Sequence, residues 1–173
     1  MALHTYLGHG ASGSAASMEP FVRGLIERGL AATAVDLPRR KAEDAVPAWR
    51  AVVPDGPTVV VGGQSYGGRV STLAAAEPDT GYRAIVLFSY PLHPPGSPEL
   101  AAARVSHWPL IHCPVLLLSG ESDPFARLEL LKAAVPLLEH GTLVTYPKLG
   151  HGLRPVLEDV LDRVASFLES LGD

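Results

Sequence analysis

The sequence predicts a doubly wound α/β protein, a three-layer α/β/α sandwich on about six parallel strands, and three observations carry that prediction. Six short apolar runs alternate with stretches of helix length along the 173 residues. Two of the runs, Val59-Val60-Val61 and Ala84-Ile85-Val86-Leu87-Phe88, are apolar at every position, as in strands buried on both faces of a parallel sheet. The C-terminal stretch has helical periodicity: Val156, Val160, Val164 and Phe167 share one face, with Leu157, Leu161 and Leu168 beside it. Repeated strand–helix alternation implies right-handed crossovers, which lay helices on both faces of one sheet.

In chain order, His4–Leu7 is the first strand, running into the glycine-rich stretch Gly8-His9-Gly10-Ala11-Ser12-Gly13, and a helix is expected over Ala15–Arg28. Ala32–Leu37 is the second strand, followed by a solvated loop with Arg39-Arg40-Lys41 and a helix over Lys41–Val52. Thr58–Val61 is the third strand; the helix after it, Gly67–Ala76, has Gly68 and the alanines at 74 to 76 for close packing on the sheet. Ala84–Ser89 is the fourth. Residues 90–110 carry five prolines (Pro91, Pro94, Pro95, Pro98 and Pro109), too many for one continuous helix. They predict an excursion over the carboxyl ends of the strands, with a short helix from Pro98 to Arg104. Val115–Ser119, a helix over Phe125–Glu139, the strand Leu143–Tyr146 and a last helix over Pro155–Leu171 complete one domain, residues 1–173.

Bulk properties narrow the function. The chain is 47% hydrophobic and 18% charged, with a formal net charge of −4, ordinary for a globular protein and without the basic footprint of a nucleic-acid partner. Cys113 is the sole cysteine, which excludes a disulfide framework and a cysteine-based zinc site and reads as a small apolar residue at a strand entrance. The N-terminus lacks the pattern of a signal peptide and no window is long enough to span a bilayer, so no membrane partner and a cytoplasmic location are expected.

Gly63-Gln64-Ser65-Tyr66-Gly67 fits G-x-S-x-G between a buried strand and a helix. There the serine sits on a turn so tight that its backbone is strained. Glycines two residues to either side are expected to avoid a collision across the turn. The turn lifts Oγ out of the sheet and aims a helix amino end at the reaction site, where its dipole favours negative charge. By itself the pattern also suits a plain strand–helix turn. A phosphate loop requires a Gly-Lys-Ser/Thr ending and a dinucleotide site G-x-G-x-x-G, and neither occurs at this turn.

Two partners fall at equivalent places. Asp123 follows the strand Val115–Ser119, and His151, between Gly150 and Gly152, follows the strand Leu143–Tyr146. All three residues emerge at one edge of the sheet, in the order Ser, Asp, His. Serine is a poor nucleophile until a base such as His151 takes its proton, and Asp123 can hold the imidazole tautomer. Asp123 also suits a helix N-cap ahead of Pro124, Glu121 is the nearest substitute acid, and His151 also suits a loop histidine at the last helix. The first glycine-rich loop can offer backbone N–H groups to an oxyanion, Ala11 first and Ser12 second, partnered by the N–H of Tyr66. The chain has no asparagine, so a backbone oxyanion site is the economical one. His9 is expected to prop that loop.

Together, "LGHGASG", "GGQSYGGR", "FSYPLHPPG", "SGESDPF" and "LGHG" resemble the α/β-hydrolase superfamily over essentially the whole chain. They are similar to a compact dienelactone-hydrolase-like branch that includes testis-expressed hydrolase-like proteins, here with serine in place of the dienelactone hydrolases' cysteine nucleophile. The resemblance implies a minimal α/β-hydrolase fold of about six parallel strands. It also implies catalytic Ser65, Asp123 and His151, an oxyanion hole at the Gly10–Ser12 loop, no cofactor and no metal. The expected activity is that of a serine hydrolase of a carboxylic ester or related small acyl compound through an acyl-enzyme; the alternative is a non-catalytic interaction or scaffold module on the same fold. His93 and Trp108 are candidate substrate-binding residues from the excursion, with loop packing as the other reading.

Overall fold

The computed structural model describes residues 1–172. Six strands, β1 (His4–Gly8), β2 (Ala31–Val35), β3 (Val59–Gln64), β4 (Ala84–Phe88), β5 (Val115–Gly120) and β6 (Gly141–Tyr146), form one sheet in the order β2-β1-β3-β4-β5-β6. Every adjacent pair is parallel. The helices are α1 (Glu19–Glu27), α2 (Ala42–Val52), α3 (Tyr66–Ala75), α4 (Ala101–Arg104), α5 (Leu128–Ala134) and α6 (Leu157–Ser170). No helix among the described residues is long and apolar enough to cross a membrane.

The pleat explains why the central strands are apolar at every position. Val59, Val61, Ile85, Leu87, Val115 and Leu117 point into one apolar layer, with Trp49 of α2, Val70 of α3 and Trp108. Their neighbours Val60, Val86, Phe88, Leu116 and Leu118 point into the other, against Phe21 and Leu25 of α1 and Val160, Leu161 and Val164 of α6. With successive side chains on opposite faces, a strand covered on both sides has no polar position to spare. Cys113 is half-buried at the foot of β5, and burial pushes its thiol up to about 11, away from thiolate chemistry.

Several element boundaries differ from expectation; β3 runs on to Gln64 and β6 starts already at Gly141. β2 stops at Val35 because the backbone beyond it is diverted: Asp36 Oδ1 accepts the Ala15 N–H at 2.7 Å and the Leu37 N–H donates to His9 Nε2 at 2.9 Å. α1 and α6 each start after a 3₁₀ turn, Ala15–Met18 and Arg154–Val156. α5 is much shorter than expected, starting only at Leu128 and giving way to a 3₁₀ turn at Val135–Leu137. Pro136 supplies no N–H with which to continue the helical hydrogen-bond ladder. The excursion holds α4 behind a 3₁₀ turn at Pro98–Leu100, as expected.

Strand order places the site. The chain leaves β1 for one side, forms β2, then returns past β1 to form β3 on the other. The loops after β1 and β3 therefore diverge, and a crevice opens between them at the carboxyl ends of the strands.

Candidate active site

Ser65 joins β3 to α3 with φ 49° and ψ −112°, a left-handed conformation that L-residues rarely adopt. The flanking glycines allow it, though not by clearing one another. A Cβ on Gly63, itself at φ 154°, would lie 2.3 Å from the Gly8 carbonyl oxygen, and one on Gly67 2.3 Å from the Gly8 carbonyl carbon. The obstacle is thus the backbone of β1, against which the turn is pressed. The Ser65 N–H donates to Phe88 O and the Gly67 N–H to His9 O, both at 2.9 Å, tying the turn to β4 and to the loop after β1.

His151 reaches back to the serine from the loop after β6. Its Nε2 lies 2.9 Å from Ser65 Oγ and its Nδ1 2.7 Å from Asp123 Oδ2. A carboxylate only accepts, so Nδ1–H donates to Asp123, leaving Nε2 free to accept the Ser65 hydroxyl proton. The Asp123 side chain is fully buried, and the imidazole is about one-quarter exposed. Asp123 also accepts the Phe125 N–H, on Oδ1 at 2.8 Å. The helix N-cap expected of Asp123 is not formed: α5 begins only at Leu128, after Arg127, and the bond to Phe125 shapes a turn instead. Two backbone bonds strap this loop to that of His151: Glu121 N–H to Tyr146 O and Ser122 N–H to Leu149 O, both 2.9 Å. The Phe125 ring lies 4.4 Å from the imidazole, tilted by 34°.

A cleft of about 540 Å³ opens over Ser65, lined by Ala11, Tyr66, Pro91, Leu100 and Phe125 among others. The N–H groups of Ala11 and Tyr66 meet no acceptor among the described residues. Ala11 and Ser12 occupy the middle of a tight turn closed by the Gly13 N–H on Gly10 O at 3.0 Å. Ala11 lines the Ser65 cleft, whereas Ser12 lines a neighbouring recess. His9 is buried and bridges two loops: Nε2 accepts the Leu37 N–H, so Nδ1–H donates to Gly10 O at 2.7 Å.

Two expected pocket residues lie elsewhere. Trp108 is fully buried and packs edge-on to Tyr90, ring centroids 5.0 Å apart, beneath the excursion. His93 is 1% exposed and repeats the His9 pattern, accepting the Arg127 N–H on Nε2 at 3.1 Å and donating from Nδ1 to Pro94 O at 2.8 Å. Both are correct as loop packing and wrong as pocket lining, because the excursion folds down on its own aromatic residues. Glu121 accepts the Thr145 hydroxyl at 2.8 Å and makes no bond to His151. Phe125, Leu100 and Pro91 line the cleft without having been singled out in the sequence. For Phe125 a signal existed: it stands two residues beyond Asp123 at a strand end.

A family model described as an alpha/beta hydrolase domain matches residues 6–166. The fold is similar to that of a monoacylglycerol lipase from Paleococcus ferrophilus, with TM-score 0.83 and 15% identity over 99% of this chain and 97% of that one. It is also similar to Est1E from Butyrivibrio proteoclasticus, solved with ferulic acid bound, with TM-score 0.79, 21% identity and coverage of 99% and 89%. Thermogutta terrifontis esterase 2, solved with propionate bound, gives TM-score 0.74, 19% identity and coverage of 99% and 84%. No curated protein matches the chain. At these identities the structural likeness speaks for fold alone. Membership comes from the family match, which runs from β1 into α6: the chain belongs to the alpha/beta hydrolase domain family.

Proposed function

We propose that the chain, as a single hydrolase domain, is a serine hydrolase that cleaves a carboxylic ester or related small acyl compound through an acyl-enzyme. The observation that carries this reading is the hydrogen-bonded series Ser65–His151–Asp123 at the mouth of a cleft. In the first half-reaction Ser65 Oγ bonds to the acyl carbon while its proton passes to His151 Nε2. Negative charge developing on the carbonyl oxygen is met by the N–H groups of Ala11 and Tyr66, with Ser12 as the neighbouring donor, at the amino end of α3. Asp123 holds the tautomer and offsets the imidazolium charge. As the carbon–oxygen bond of the ester breaks, Nε2–H protonates the leaving alkoxide. Water then attacks the acyl-enzyme with His151 again as base, releasing the acid and restoring Ser65.

A fluorophosphonate that modifies activated serines tests the proposal. Intact protein is expected to gain one phosphonyl adduct, mapped to Ser65 by peptide mass spectrometry, with none in Ser65→Ala. An unmodified, fully folded wild-type protein would instead favour the scaffold reading. The placement in the dienelactone-hydrolase-like branch rests on the sequence motifs.

A further inference from the structure

The cleft over Ser65 is walled by positive charge. Arg40, Lys41, Arg69 and Arg104 line it, and the adjoining recess beside Ala11 and Ser12 adds Arg39. Glu43 is the single carboxylate on these walls among the described residues, and it is bonded to Arg69. The whole chain carries a formal charge of −4, so this concentration runs against the balance of the molecule. It is also held in place: the Tyr66 hydroxyl donates to Pro38 O at 2.9 Å, fixing the start of the Arg39–Lys41 loop beside the residue that follows the serine.

Arg104 makes the strongest case. It projects from α4, is half-buried, and donates from Nη1 to Pro91 O at 3.0 Å. It forms no ion pair among the described residues. Burial and the like charge of Arg69 push its guanidinium down, with Tyr90 and Glu43 opposing. A partly desolvated cation facing another cation is unfavourable by itself and becomes favourable when an anion arrives between them. A guanidinium also presents its donors as a planar fork that matches a carboxylate.

We propose that Arg40, Arg69 and Arg104 form an anion-recognition subsite in the Ser65 cleft, and that the preferred substrates are esters bearing a second group that is an ionised carboxylate. This rests on the hydrolase reading and deepens it by naming the substrate class. The second carboxylate makes and breaks no bond. It is held by the guanidiniums while the ester group meets Ser65, and the cations lining the cleft add to its attraction.

The test compares hydrolysis of monoethyl glutarate with that of ethyl glutaramate, whose neutral carboxamide replaces the carboxylate at nearly equal volume. The carboxylate ester is expected to have a kcat/KM higher by about tenfold or more at low salt, mainly through KM, with the gap narrowing as salt rises. Arg104→Gln should bring the ratio of the two close to one, whereas Arg23→Gln, remote on α1, should leave the ratio as it was. If Arg104→Gln fails to fold, Arg40→Gln on the exposed loop takes its place. Equal turnover of both esters would overturn the subsite and leave the hydrolase reading standing. A stronger preference for ethyl phosphonobutanoate than for the glutarate would overturn the carboxylate assignment. If none of these esters is turned over, fluorophosphonate labelling of Ser65 alone decides the hydrolase reading, and the subsite is decided separately by calorimetric titration of monoethyl glutarate into Ser65→Ala. Binding weakened about tenfold by adding Arg104→Gln supports it. Absent binding, or binding indifferent to Arg104, overturns it.

Discussion

Asp123 shows how one buried side chain serves two needs, because its oxygens are divided between the Phe125 N–H and His151 Nδ1. Asparagine can keep the first bond through its carbonyl oxygen. Its amide then faces Nδ1 as a donor, which forces the proton onto Nε2 and removes the base. Asp123→Asn should therefore lower kcat by about 10³- to 10⁴-fold with little change in stability. Asp123→Ala should lose activity to a similar degree and about 1 kcal/mol of stability as well, through the orphaned Phe125 N–H. Steady-state kinetics alongside urea denaturation separate the two. Equal stability losses in both variants would mean that the Phe125 bond counts for nothing.

At the scale of elements, the turn at Ser65 is set by what lies behind it. Gly63 and Gly67 each face the backbone of Gly8 at a distance no Cβ tolerates, so Gly63→Ala or Gly67→Ala has to push β3 or α3 away from β1. Either change is expected to cost about 2–4 kcal/mol, read as a lower denaturation midpoint, and to lower activity in whatever protein still folds. The same turn marks the border of what the sequence makes legible. Ser65, Asp123 and His151 are readable because each follows an apolar run that must be a strand, and parallel strands deliver their carboxyl ends to one rim. The collision partner of the two glycines is not readable, since it requires knowing that β3 lies beside β1. For the same reason the cleft walls are hidden: Arg40, Arg69 and Arg104 come from three separate elements whose lateral order the strand–helix alternation does not encode. Trp108 misleads because an aromatic residue in a proline-rich loop reads alike whether it turns outward or inward.

Across the whole molecule, the excursion is clamped to α3 through a half-buried histidine. His107 Nε2 donates to Thr72 Oγ1 at 2.9 Å, and Thr72 in turn donates to Arg69 O. Burial, reinforced by the Arg69 charge, lowers the His107 pKa from 6.5 to about 4. The folded protein thus keeps this ring neutral where the unfolded chain would protonate it. Its contribution is complete above pH 6.5 and is lost as pH falls towards 4, by at most about 3 kcal/mol. Denaturation midpoints measured from pH 7 to 4 should fall more steeply for the wild type than for His107→Gln. Parallel slopes would show that the ring titrates freely in the folded state. The bond between Ser65 and His151 joins residues 86 positions apart and spans β3 to β6 across the sheet. Regain of turnover during refolding should consequently wait for the docking of β6 against β5. A nascent chain, by the same logic, stays chemically silent until its sixth strand has left the ribosome and docked.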